Sequence, residues 1–299
     1  MKIGLIDVDG HNFPNLALMR ISAYHKRKEM QAPEQEQRLL LQITNRDKAF
    51  YECGKGILIH DDTFAALSQM QSESIDLIFA DPPYFLSNNG VTCSSGRMVS
   101  VNKGEWDSNY TLQQKHDFNK RWLAECYRVL KPSGTIFISG TLHNIYSIGM
   151  ALEENNFKIL NNITWQKTNP PPNLACKCFT HSTETILWAK KNIKNAKPLF
   201  NYAAMKEQNG GKQMKDVWRG ALTPPKQKKY GKHPTQKPLY LLDRIIEAAT
   251  MQGFIVLDPF VGSGTTAVSA ANHGCYFIGI DNSLEYLEIA KRRIENEVM

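Results

Sequence analysis

Long apolar runs, paired cysteines and a phosphate-cradling glycine loop are all missing from this 299-residue chain, and each absence excludes something. The opening run Ile3 to Ile6 is broken by Asp7 and Asp9, too short and too charged for a signal peptide or a membrane span. Six cysteines (Cys53, Cys93, Cys126, Cys176, Cys178 and Cys275) are scattered without a disulfide-like framework. Cys176 and Cys178 lie near His181, but no second pair stands at zinc-finger spacing, so the thiols read as buried or idle and no metal is expected. A reducing, cytoplasmic setting without a membrane partner is the expectation. No Gly-x-x-x-x-Gly-Lys-Ser/Thr run occurs, which excludes a P-loop.

What is present is basic charge, and it is concentrated. The chain has 36 basic and 29 acidic residues, a net +7. From Lys190 to Lys232 twelve Lys and Arg face only Glu207 and Asp216, an excess of ten, so the rest of the chain is net negative. A contiguous basic piece suits a phosphate-rich partner, although a solvated lysine-rich loop has the same composition.

Lys2 to Val8 reads as a strand and Asn15 to Lys28 as a helix, but residues 1–52 are too few for a fold of their own and are set apart as an extension. From Gly56 the pattern becomes regular. Gly56 to His60, Ile75 to Ala80, Thr135 to Ser139, Phe254 to Leu257 and Cys275 to Ile280 read as buried strands. Thr63 to Gln69, Phe118 to Leu130, Ile145 to Glu154, Pro238 to Thr250 and Thr265 to His273 have helical spacing. Ile159 to Gln166 and Glu184 to Lys190 could pair as a hairpin. Alternation of this kind predicts an α/β fold, a doubly wound and mostly parallel sheet. Such sheets bind ligands past the carboxyl ends of their strands.

Two strand ends carry chemistry. At Asp258-Pro-Phe260-Val-Gly262-Ser-Gly264 the glycines let the backbone turn tightly and approach a ligand, and a helix start follows. Bulk at Gly264 is expected to block that approach while sparing the fold. Asp281, at the end of the next strand, is placed to accept from ribose hydroxyls. A dinucleotide would fit this motif as well, and a tight turn without ligand remains the bland alternative.

The second end is Asp81-Pro82-Pro83-Tyr84. The prolines lock φ and remove N–H donors, leaving acceptors beside an aromatic face. That equipment suits an exocyclic amine on a planar base. Its N–H groups would donate to the Asp81 carboxylate and the Pro82 carbonyl while Tyr84 stacks on the ring. A methyl transferred to such a nitrogen leaves growing positive charge, which a fixed carboxylate stabilises.

The order Asp81-Pro-Pro-Tyr84, a basic variable region, His233-Pro-Thr-Gln-Lys-Pro238 and then Asp258-Pro-Phe-Val-Gly-Ser-Gly264 resembles the β-class amino-methyltransferases of DNA over roughly residues 53–299. Phe85 to Asn88, His143 to Ser147, Asn162 to Asn169, Thr180 to Trp188 and Gly211 to Trp218 are similar to the second adenine methyltransferases of Dpn-type GATC restriction systems. The resemblance implies S-adenosylmethionine as cofactor, N6 of adenine in GATC as target, double- and single-stranded DNA as partner, and a restriction endonuclease linked functionally. It implies a catalytic half at 53–189, a target-recognition segment at 190–232 and a cofactor half at 233–299.

Residue by residue, it assigns Asp81, Pro82, Pro83 and Tyr84 to catalysis. Phe260, Gly262 and Gly264 match the cofactor loop, Asp258 the methionine amino group, Asp281 the ribose, and Asp62 the adenosine end. Thr235 and Lys237 match the segment closing over the methionine carboxylate. Gly90 to Gly104 would be a flap over an extruded base. Residues 1 to about 50 have no counterpart. Rival readings are cytosine-N4 methylation, whose enzymes usually carry Ser in place of Asp81, methylation of RNA or of a protein amide, and a DNA-binding module without catalysis.

Overall fold

The computed structural model describes residues 46–84, 91–94, 97–100 and 110–298; the strand and helix read within 1–45 lie outside them. Strands β1 (Ala49–Cys53), β2 (Gly56–His60), β3 (Ile75–Ala80), β4 (Val91–Ser94), β5 (Arg97–Ser100), β6 (Leu130–Gly140), β7 (Phe157–Lys167), β8 (Thr183–Lys191), β9 (Val217–Gly220), β10 (Ile255–Asp258) and β11 (Tyr276–Asp281) are joined by helices. The helices are α1 (Thr63–Ser68), α2 (Leu112–Val129), α3 (Ile145–Glu154), α4 (Tyr202–Gln208), α5 (Leu239–Ala249), α6 (Thr265–Asn272) and α7 (Leu284–Glu297). Nine strands form one sheet in the order β1-β2-β11-β10-β3-β6-β8-β7-β9, and β4 pairs with β5 as an antiparallel ribbon. That ribbon is the described part of the Gly90 to Gly104 segment.

The central five strands, β2 to β6 in spatial order, are parallel, as the apolar runs predict. Both faces are covered, and the alternation along each strand shows how. Ile57, Ile59, Ile78, Ile136, Ile138 and Leu257 join one core with α1, α2 and α3. Leu58, Leu77, Phe79, Phe137, Val256 and Phe277 join the other with α5, α6 and α7. Each such side chain, fully buried, contributes about 1.5–3 kcal/mol.

Four boundaries differ from the sequence reading. Helix α2 starts at Leu112, six residues earlier, because Thr111 and Gln114 form a reciprocal capping box and the first turns carry no core residue to set a period. Strand β6, read as beginning at Thr135, begins at Leu130 and takes in Pro132-Ser133-Gly134, where pairing jumps from Ile75–Leu130 to Leu77–Thr135 as a bulge. Strand β1 pairs with β2, so residues 49–52, set apart above as extension, complete the sheet edge. The segment 190–232 contributes β9 to the same sheet beside β7 and buries Met205 and Trp218. The β7–β8 hairpin forms as expected.

Strands β10 and β3 are neighbours, yet the chain leaves β10 for α6 on one face and β3 for α2 on the other. That divergence opens a crevice at the carboxyl edge, where an open α/β sheet binds its ligand.

Candidate active site

A cavity of about 980 Å³ occupies this crevice. Asp62, Asp81, Pro82, Pro83, Tyr84, Thr235, Lys237, Asp258, Phe260, Gly262 and Asp281 all line it, so residues from four strand ends and from the 233–238 segment meet in one place. Gly264 is the member of the sequence set that does not line it.

The glycine loop is built from its own neighbourhood. Gly262 and Gly264 have φ of 49° and 76°, left-handed values that L side chains avoid. Asp281 fixes the turn: its Oδ2 accepts from the Gly262 N–H at 2.9 Å and its Oδ1 from the Ser283 N–H at 2.9 Å. A Cβ at Gly264 would lie 2.7 Å from Ala290 Cβ in α7. The second glycine is therefore required for close packing of α6 against α7, and the expectation that bulk there would spare the fold is corrected. A Cβ at Gly262 would meet the His233 ring at 2.9 Å.

Buried Arg293, which the sequence reading did not single out, braces the same loop from α7. Its Nη1 donates to the Ser263 carbonyl at 2.9 Å and to Thr265 Oγ1 at 2.8 Å. Its charge is balanced by Glu297 one turn on. The i, i+4 spacing of Arg293 and Glu297 was visible, but nothing in it pointed inward.

Asp258 is 4% exposed. Its Oδ1 accepts from the Phe260 N–H at 3.0 Å and its Oδ2 from Thr266 Oγ1 at 2.5 Å. Burial pushes its pKa up to about 7, outweighing those hydrogen bonds, with smaller contributions from Asp81 and Asp281 in the same direction. Phe260 packs edge-on against Trp122 with centroids 5.5 Å apart. Asp62 caps α1, its Oδ1 accepting from Phe64 and Ala65 N–H groups at 3.0 and 3.1 Å. Thr63 Oγ1 donates to the Pro259 carbonyl and ties that helix to the loop.

Asp81 is assembled from farther away. The Tyr84 hydroxyl donates to its Oδ1, and the Lys237 ammonium sits 2.6 Å from its Oδ2. Lys237 also reaches the Tyr84 oxygen at 2.6 Å and Glu184 Oε2 at 3.4 Å. These partners differ from the methionine carboxylate that the resemblance implies for Lys237. Glu184, in β8, was missed as a site residue. It pairs through Oε1 with Lys167 Nζ at 2.7 Å, across the β7–β8 hairpin. Tyr84 is only 9% exposed and its hydroxyl is tied down, so it is firmly placed in the cavity wall. The Pro83 carbonyl accepts from Asn144 Nδ2 at 3.4 Å. Thr235 lies beside His233, Oγ1 to Nδ1 3.4 Å.

Burial raises the Asp81 pKa, and the adjacent Lys237 offsets only part of that. Burial acts on Glu184 in the same sense, but Lys237 and Lys167 outweigh it and hold its carboxyl below the usual range. The pair thus consists of a strained carboxylate facing the cavity and a comfortable one behind it.

Most lysines of the 190–232 segment are exposed; the exceptions are Lys228, which is half-buried, and the two at the segment's start. Lys191 is 3% exposed, 3.4 Å from Glu73 and over the Tyr127 ring, and Lys190 bonds the Ala196 carbonyl. Lys226 and Lys228 lie on a 3-10 turn, Pro225–Lys228, that is fastened to the cavity wall through Gln227 and Gln236.

A mostly parallel sheet with its crevice between β10 and β3, a glycine loop braced by the next strand's acid and an Asp-Pro-Pro-Tyr turn in the cavity wall make up a Rossmann-like methyltransferase fold. Residues 75–292 match the family model N6_N4_Mtase, DNA methylase. The chain is 62% identical over 250 residues to the Type II methyltransferase M2.DpnII of Streptococcus pneumoniae, covering 84% of this chain and 93% of that protein. It is 61% identical over 247 residues to M2.LlaDCHI of Lactococcus lactis subsp. cremoris, covering 83% and 92%. Among solved structures, the M1.HpyAVI–SAM complex is similar at 30% identity with a TM-score of 0.58, covering 79% of this chain and 98% of that one. PvuII DNA methyltransferase, described as cytosine-N4-specific, shares the fold at a TM-score of 0.67 and 19% identity over 84% of this chain and 91% of its own. The chain belongs to this DNA methylase family and is a site-specific DNA methyltransferase.

Proposed function

We propose that the protein transfers a methyl group from S-adenosylmethionine to N6 of adenine, in GATC, on single- as well as double-stranded DNA. The observation that carries the adenine reading is Asp81: a carboxylate at the cavity wall, 13% exposed, whose Oδ2 already holds a nitrogen donor at 2.6 Å. An exocyclic amine that takes that place donates to a fixed acceptor, and the positive charge that grows on nitrogen is stabilised more than the ground state is. The cytosine-N4 enzymes usually have Ser at this position, which favours adenine here.

The residues fit the cofactor. The cavity is large enough for a nucleoside together with a base. The left-handed glycine turn brings backbone to its wall, Asp281 stands beside that turn, and Asp258 is a buried carboxyl that a ligand ammonium would satisfy. When bound, the cofactor supplies an activated methyl group. The chain's own part is to hold the acceptor nitrogen at Asp81, to fix Asp81 through Tyr84, and to exclude water by burial.

Exposed cations of 190–232 are suited to phosphate contacts, and an unpaired adenine avoids the few kcal/mol needed to unstack it. The resemblance to Dpn-type restriction systems, with relatives named Type II methyltransferases, supports a functionally linked restriction endonuclease as partner. Among the described residues no helix is long and apolar enough to cross a membrane. Methyl incorporation into matched and scrambled oligonucleotides, each single- and double-stranded, tests the proposal, with nucleoside mass spectrometry to identify the product. N6-methyladenine in GATC on both forms is expected. Equal labelling of scrambled DNA rejects GATC, and N4-methylcytosine rejects the adenine reading.

A further inference from the structure

Both oxygens of Asp81 have a partner before any substrate arrives, Tyr84 on Oδ1 and Lys237 on Oδ2. If the amino group of the target base takes the place on Oδ2 that faces Tyr84 and Lys237, the Lys237 ammonium must yield it. It cannot retreat to water at no cost, since its side chain is 5% exposed and an unpaired buried charge is strongly unfavourable. Besides the Tyr84 oxygen, which it already meets, a second carboxylate lies within its reach among the described residues. Glu184 Oε2 is 3.4 Å from Lys237 Nζ, is buried, and makes no hydrogen bond among the described residues, while its sister oxygen is held by Lys167. An ammonium on one carboxylate thus stands next to a second carboxylate with an open oxygen.

We propose that Glu184 is a positioning residue for methyl transfer, the acceptor that takes the Lys237 ammonium when the adenine amino group claims Asp81 Oδ2. The exchange replaces one buried ion pair by another, so the base enters without stranding a charge. Lys167 anchors Glu184 through Oε1 and leaves Oε2 turned toward Lys237. The two carboxylates differ in the direction the exchange needs: burial strains the Asp81 anion, whereas two lysines keep Glu184 ionised and ready to receive a cation. Lys237 in turn acts as a placeholder, presenting an N–H donor to Asp81 and so holding its carboxylate in position until the substrate nitrogen replaces it. This inference rests on Asp81 being the acceptor for the amino group.

The test is single-turnover methylation of a GATC oligonucleotide by wild type, Glu184→Gln, Lys237→Met and the double variant, with cofactor affinity and thermal midpoint measured on each. Glu184→Gln keeps shape but removes the charge that receives the ammonium. Its rate is expected to fall about ten- to a hundredfold, the loss of one charged hydrogen-bond partner, with cofactor affinity within about twofold of wild type. In the Lys237→Met background there is no ammonium to relocate, so adding Glu184→Gln should cost little more. Should Glu184→Gln fail to fold, Glu184→Asp makes the same comparison with the carboxylate one methylene farther from Lys237. A wild-type rate in Glu184→Gln overturns the proposal. So does an equal loss in both backgrounds, which would mark Glu184 as structural. A wild-type rate in Asp81→Ala, run alongside, would instead overturn the adenine-acceptor reading itself.

Discussion

The glycine loop behind β10 and the acceptor behind β3 face each other across one cavity, and they are built in opposite ways. The loop's turn is fixed by partners within 258–297, and its geometry is carried by backbone: two left-handed glycines, two N–H groups on Asp281, a buried arginine on a carbonyl, with Thr63 and Trp122 packing on it from outside. The acceptor is made of side chains from Asp81, Glu184 and Lys237, with the closest ion pair spanning 156 positions. Local backbone geometry makes a motif. A long-range ion network makes a site whose members only the fold brings together.

The comparison predicts that the two halves fail separately. Removing the carboxylate with Asp81→Ala should lower the single-turnover rate at least about a hundredfold, the loss expected for a preorganised partner of developing charge. Binding of S-adenosylmethionine, measured by calorimetry, should survive, because the loop takes no support from Asp81. A rate within threefold of wild type would remove Asp81 from the mechanism. Loss of cofactor binding would instead show the two regions to be one unit.

What could be read beforehand follows the same division. The central parallel strands were legible because burial on both faces leaves apolar runs such as Leu77 to Ala80. Asp62, Asp81, Asp258, Gly262 and Asp281 were legible because each stands in the loop or strand end it serves. Glu184 was not, since a single acid in a strand reads as an exposed face until the hairpin sets it beside Lys167 and beneath Lys237. Lys191 failed in the other direction. It counted as part of the basic stretch, yet the end of β8 turns it inward to Glu73 and Tyr127. Strand β1, an edge of mixed residues that are all partly exposed, carries too little apolar pattern to be seen.

A substitution in the loop sharpens the contrast from the other side. Valine at position 264 needs φ near 76° and places Cβ 2.7 Å from Ala290 Cβ and 2.9 Å from its Cα, with no flexible side chain to give way. Overpacking and left-handed strain together should lower stability by about 2–4 kcal/mol. Chemical denaturation would measure this as a lower midpoint at unchanged slope. The loss of cofactor binding expected from sequence would then follow from a displaced α7. Were Gly264→Val to fold with wild-type stability and still bind no cofactor, close approach to the ligand would be its role after all.

The smallest effect expected is a pH dependence confined to the loop side. Asp258 has its pKa raised from an ordinary 3.8 to about 7. For a group raised in the folded state, the contribution to stability is fully present below the ordinary value and is lost as pH rises through the folded one, so the free enzyme is weakened between about pH 4 and 7. A ligand ammonium beside Asp258 reverses the balance, because it favours the carboxylate. Below pH 7 the carboxyl must then give up its proton for the cation to bind, and cofactor affinity should fall toward acid, by no more than about tenfold per pH unit. Calorimetry near pH 6 in two buffers of different ionisation enthalpy should report proton release on binding, fading by pH 8. Asp258→Asn keeps a side-chain acceptor for the Phe260 N–H while removing the titration, so its affinity should be weaker at pH 8 and flat across the range. Persistence of the full pH dependence in Asp258→Asn would assign the proton to another group at the cavity, with Asp281, also raised by burial, next to test.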